Sequence, residues 1–123
     1  MNRLAALALP LLLAACATTP RQGAAADSWL VGTWLMPDES TPFPLGCESD
    51  QPIHYNADGR FAVYEERGTW SLDGDRLTET VTEAGDPGDV GRRTVTRVVP
   101  SGPDAFVKHW PDGEPATFRH CPP

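Results

Sequence analysis

The chain has 123 residues, with 17 Asp and Glu against 10 Lys and Arg, for a formal net charge of −7. Once a short leader is set aside, that length suits one domain. The acidic balance argues against nucleic-acid binding, which needs a basic stripe, and against adhesion to anionic membrane surfaces.

At the N-terminus a single positive residue, Arg3, precedes a short apolar stretch from Leu4 to Ala15, interrupted by Pro10. This stretch falls short of the roughly 20 residues that a spanning helix needs. A basic start, a hydrophobic middle and then small residues form the pattern of a secretory signal. The closing run Leu13-Ala14-Ala15-Cys16 resembles the lipobox of bacterial lipoproteins, whose cysteine becomes the acylated first residue of the mature chain. The resemblance implies that residues 1–15 are a signal peptide and that Cys16 is the lipid attachment site. Ala17 follows where an inner-membrane retention signal would have aspartate, which implies an outer-membrane lipoprotein facing the periplasm. Each buried methylene of the acyl chains would contribute about 0.8 kcal/mol to anchoring. Ala15-Cys16-Ala17 also fits the A-x-A rule of ordinary secreted proteins, an alternative that would leave a soluble periplasmic protein.

Thr18 to Ser28 carries no large apolar side chain. Residues 16–28 are therefore expected to be a lipidated cysteine and a flexible tether, with the folded domain spanning 29–123. A domain this small buries a thin core and often needs a covalent brace. With Cys16 acylated, Cys47 and Cys121 remain, in a compartment that permits disulfides. Their bridge would close a loop of about 75 residues, worth about 4 kcal/mol on the chain-entropy model. Two cysteines without a third nearby ligand are poor material for zinc.

Beyond the tether no segment sustains helical apolar spacing. Short alternating runs separated by Gly, Pro, Asp and Asn predict an all-β domain. Eight strands are expected: Trp29–Met36, Pro52–Asn56, Arg60–Glu66, Gly68–Asp73, Arg76–Thr82, Arg92–Val99, Ala105–Trp110 and Ala116–Cys121. Asn56-Ala57-Asp58-Gly59, Leu72-Asp73-Gly74-Asp75, Ser101-Gly102-Pro103-Asp104 and Pro111-Asp112-Gly113-Glu114 have hairpin-turn chemistry. Tight turns between sequential neighbours predict a small eight-stranded antiparallel up-and-down barrel, whose closure removes sheet edges. An open sheet packed on itself is the structural competitor. In a closed barrel the first and last strands are neighbours, so the Cys47–Cys121 bridge would staple the seam.

Gly32-Thr33-Trp34 recurs as Gly68-Thr69-Trp70. This resembles the lipocalin and wider calycin families, in which Gly-x-Trp opens the first barrel strand. The resemblance implies that Trp34 packs at the closed end of a barrel, with Arg119 as the partner above it through a cation–π contact of about 0.5–2 kcal/mol. Other lipocalin motifs are missing, so the expectation is a lipocalin-like domain. The layout also resembles small periplasmic inhibitors of serralysin-type metalloproteases, which insert a free amino-terminal trunk that an acylated Cys16 would tie down.

Taking Trp34 as inward, alternation places Trp70 on the same face. It also leaves three charges between apolar neighbours: Glu79 between Leu77 and Val81, Arg97 between Val95 and Val99, and Lys108 between Phe106 and Trp110. Hairpin register would set Glu79 opposite Arg97, and Arg97 opposite Lys108, within about one residue. Trp34, Trp70, Glu79, Arg97 and Lys108 are thus the candidate ligand-binding residues, a charged row in an apolar cup. The competing readings are a solvated charge ladder and a structural Glu79–Arg97 pair.

Catalytic signals are missing. His54, His109 and His120 lie on different strands without ligand spacing, and the serines lack a nucleophile-elbow context. Asp86 and Asp89 alone cannot supply the six or more oxygens of a calcium site, and Glu65 and Glu66 point to opposite faces. No enzyme and no cofactor is expected. The expected function is non-catalytic binding of a small amphipathic ligand. The alternative is a protein-binding module, either a periplasmic protease inhibitor or an envelope-assembly factor.

Overall fold

A computed structural model describes residues 28–123; the expected signal peptide, Cys16 and nearly all of the expected tether lie outside the described residues. The strands are β1 (Gly32–Leu35), β2 (Ile53–Tyr55), β3 (Arg60–Val63), β4 (Glu66–Asp73), β5 (Arg76–Glu83), β6 (Arg93–Pro100), β7 (Ala105–His109) and β8 (Ala116–His120). All pairings are antiparallel and sequential, and β1 pairs with β8 to close the barrel. The expected eight-stranded barrel is therefore the fold. Each strand overlaps its predicted segment, although β1 is shorter at both ends and β5 and β6 each end one residue later; the larger difference is at β3 and β4. Arg60–Glu66 does not run through as one strand, because the chain reverses at Tyr64-Glu65 between the paired residues Val63 and Glu66. Tyr64 adopts a positive φ of 52° there, a conformation usually given to Gly or Asn.

Three short hairpins, β2–β3, β4–β5 and β6–β7, gather at one end. The other four connections gather at the opposite end, which is the mouth. The hairpin end is closed by aromatic packing. Trp34 donates its Nε1–H to the Leu30 carbonyl at 2.9 Å, and its ring meets Phe106 edge-on at 4.9 Å between centroids. Trp29 packs across both, 6.2 Å from Trp34 and 5.6 Å from Phe106.

The repeated Gly-Thr-Trp has a repeated structural task. In each copy the tryptophan is buried and ties its indole to a backbone carbonyl, with Trp70 Nε1 reaching Asn56 O at 3.1 Å. The glycine two residues earlier leaves room for a ring from another strand. A Cβ on Gly32 would lie 2.5 Å from His120 Nε2, and one on Gly68 would lie 2.5 Å from Phe61 Cε1.

The first long connection, between β1 and β2, folds back as a strap over the outside of the β1–β8 seam. It carries a short 3-10 turn, Leu45–Glu48, and covers Leu35, an outward residue that is nonetheless fully buried. Cys47 on the strap is disulfide-bonded to Cys121 just after β8, with Cα atoms 5.8 Å apart. Arg119 does not meet Trp34. It pairs with Leu35 on the outer face and stacks 3.9 Å above the Phe43 ring of the strap. Strand alternation explains the difference, since His120, one residue on, points inward and meets Trp34 edge-on at 4.7 Å.

Candidate ligand cup

The inward face of β5 carries Leu77, Glu79 and Val81, all buried, and that of β7 carries Phe106 and Lys108. Glu79 Oε1 and Lys108 Nζ stand 2.7 Å apart, with side chains only 11% and 7% exposed. Lys108 Nζ also donates toward the Tyr55 hydroxyl at 3.5 Å. The rings of Trp110 and Phe118 lie 5.4 and 5.6 Å from the same ammonium, within cation–π reach. Burial, and then the Glu79 carboxylate, hold the Tyr55 phenol well above its ordinary pKa. Tyr55 therefore stays a neutral hydroxyl beside the ion pair.

Arg97 is not part of this group. β6 turns Thr96 and Val98 into the barrel and Arg97 out of it, opposite Arg76 on one side and His109 on the other. The Arg97 side chain is 56% exposed, with only Asp75 nearby at 4.0 Å. The expected register of Glu79 against Arg97 is replaced by Glu79 against Thr94, whereas Arg97 faces His109, within one residue of the expected Lys108, an offset that is enough to put it on the opposite face. Charge explains the choice of face. Glu79 balances one cation, and a guanidinium added beside Lys108 would be an unpaired buried charge. The outward turn has a smaller cost, for the buried Thr96 hydroxyl has no hydrogen-bond partner.

The mouth half of the barrel holds a cavity of about 340 Å³, near the lower end of the range for small-molecule sites. Met36, Ile53, Val63, Trp110 and Phe118 form apolar walls, and Glu79, Thr94 and Lys108 supply polar groups. Asp38, Gln51 and Tyr64 complete the lining. Asp38 accepts hydrogen bonds from the backbone and hydroxyl groups of both Ser40 and Thr41 at 2.7–2.9 Å. These bonds lower its pKa to about 2, so the rim carries a fixed negative charge.

Of the five sequence candidates, Glu79 and Lys108 meet in the cup. Trp34 and Trp70 are inward but belong to the packed closed end, and Arg97 is outside. Tyr55 and Phe118 were within reach of the same alternation rule, since both sit on the inward parity of their strands. Asp38 and Gln51 carried no such signal, because they come from the strap's ends and not from a strand.

The histidines stay apart. His54 shares a hydrogen bond of 2.8 Å with the Thr33 hydroxyl, His120 packs on Trp34, and His109 lies on the outer face beside Arg97. Asp86 caps its own short turn by accepting from Gly88 N. Among the described residues no group of three or more His, Cys, Asp or Glu could hold a metal ion. No helix among them is long and apolar enough to cross a membrane. No protein-family model, curated protein or solved structure matches the chain.

Proposed function

We propose that this chain is a lipid-anchored protein of the bacterial envelope whose lipocalin-like barrel binds a small amphipathic molecule without transforming it. The observation that carries the binding reading is the cavity at the mouth, where an apolar wall of Met36, Ile53, Val63, Trp110 and Phe118 faces polar groups that include the buried Glu79–Lys108 pair. A hydrophobic body fits against Met36, Val63, Trp110 and Phe118, while its polar end reaches the pair. Apolar side chains at the entrance agree with such a guest, Met36 being 46% and Tyr64 52% exposed. The anchoring reading rests on the lipobox resemblance of Leu13-Ala14-Ala15-Cys16, and Ala17, in place of a retention aspartate, supports the outer membrane, facing the periplasm.

Native mass spectrometry of protein taken from its own envelope tests the binding reading. A captured small molecule, lost in a variant with Val63→Trp filling the cup, is the expected result; consistently empty protein counts against it. Cys16→Ser should abolish membrane fractionation, and unchanged fractionation refutes lipidation. A second reading, a protein-binding module, is favoured by Leu45, 74% exposed on the strap. It predicts a partner whose binding is lost with Leu45→Asp and indifferent to the filled cup.

A further inference from the structure

The base of the cup already contains one carboxylate and one ammonium, and their pairing restricts the polar end that a guest can bring there. Among the described residues Glu79 and Lys108 are the buried charged side chains, and they neutralise one another across 2.7 Å. The other surroundings of the ammonium are also supplied by the protein: the Tyr55 hydroxyl and the rings of Trp110 and Phe118. An anionic head group would have to take Lys108 from Glu79 or lie beside the Glu79 carboxylate. Either arrangement leaves a net charge beside a largely buried pair, which is unfavourable even in a partly wet site. An ammonium head group at the pair meets the same difficulty from Lys108, and Asp38, exposed at the rim, is too well solvated to balance it there.

A second observation concerns the entrance. Asp38 lines the same cavity and is kept ionised by its four hydrogen bonds. The chain as a whole carries −7. An approaching anion is therefore repelled before it reaches the pair.

Resting on the reading of the cup as a ligand site, we propose that it selects amphiphiles whose polar end is uncharged and both donates and accepts hydrogen bonds. A primary amide or an alcohol meets this description. Its N–H or O–H donates to the Glu79 carboxylate and its oxygen accepts from the Lys108 ammonium, so neither charge loses its partner. Discrimination against the charged analogues comes from the unpaired charge each would create.

The test compares octanamide, octanoate and octylammonium by titration calorimetry on the full chain in amphipol at neutral pH. Octanamide should bind about ten-fold or more tightly than either charged analogue, the scale expected for one unpaired charge in a partly wet site. Glu79→Gln should raise octanoate affinity relative to octanamide, because Lys108 then lacks its counter-ion. Lys108→Met should do the same for octylammonium and gives an independent arm if the first variant unfolds. Octanoate or octylammonium binding the unaltered chain as well as octanamide overturns the selectivity, as do preferences unmoved by both substitutions, while leaving the cup a binding site. Absence of binding by all three probes to the unaltered chain and to both variants overturns the cup itself.

Discussion

Glu79 and Lys108 come from β5 and β7, and β6, the strand between them, adds no charge to the lumen. The pair meets across the barrel interior and not along a hairpin, since Glu79 is registered against Thr94 and Lys108 against Val98. Two strands that share no hydrogen bonds are thus tied together at the base of the cup by an ion pair.

Removing one partner should be far worse than removing both. Glu79→Leu leaves a buried ammonium and Lys108→Met a buried carboxylate, each expected to cost about 3–5 kcal/mol. The double variant leaves an apolar lumen and should recover most of that loss. Urea unfolding of the four proteins measures the coupling, and additive losses would show that the pair is solvated and not buried.

Tyr55 makes stability sensitive to alkali. Its phenol is raised above the ordinary value of 10.0, chiefly by burial and then by Glu79. The folded state therefore holds a proton that the unfolded chain releases. The contribution is complete below about pH 10 and declines as pH rises toward the folded pKa, at up to about 1.4 kcal/mol per pH unit. Tyr55→Phe should remove this decline. The check is the urea midpoint of both proteins between about pH 9 and 11; parallel curves would mean that the phenol titrates freely.

The strands were legible because most turns announce themselves with Gly, Asn or Asp, as at Asn56–Gly59 and Gly74-Asp75. The β3–β4 reversal was not, because Tyr64-Glu65 contains none of these and Tyr64 takes its positive φ regardless. β6 was ambiguous for a different reason. Arg93-Thr94-Val95-Thr96-Arg97-Val98-Val99 has valine on both parities, so periodicity alone cannot choose a face. What decides it is the charge balance of the lumen, which depends on β5 and β7. The two charges that do meet were found because Leu77, Val81 and Phe106 fix their strands unambiguously. The strap was invisible to periodicity, since it covers Leu35 with irregular chain. Its disulfide was inferred from the pairing of the two remaining cysteines.

Gly68 should tolerate no side chain. It pairs with Phe61 and Val81 on the inner face, and a Cβ there would press on the Phe61 ring and the Thr80 carbonyl. Gly68→Ala should cost at least the roughly 1–3 kcal/mol typical of overpacking. Gly113→Ala is the control, because its Cβ would make only an ordinary 3.5 Å contact with Trp110. Thermal unfolding should separate the two clearly. Equal effects would mean that the inner wall at Phe61 yields.

The Cys47–Cys121 bridge holds the strap as well as shortening the unfolded chain. It spans a sequence separation of 74, so Cys47→Ala with Cys121→Ala should lose about 4 kcal/mol on the chain-entropy model. The barrel should still close, because Cys121 N keeps its 2.8 Å bond to the Thr33 carbonyl and β1–β8 pairing does not involve sulfur. The strap should loosen, raising hydrogen exchange at Leu35 and over residues 42–49, and weakening any guest in the cup, whose rim takes Met36, Asp38 and Gln51 from this connection. A loss near zero, with exchange at Leu35 unchanged, would assign the strap's attachment to Arg119 on Phe43 and to the packing of Leu35 against Gly46.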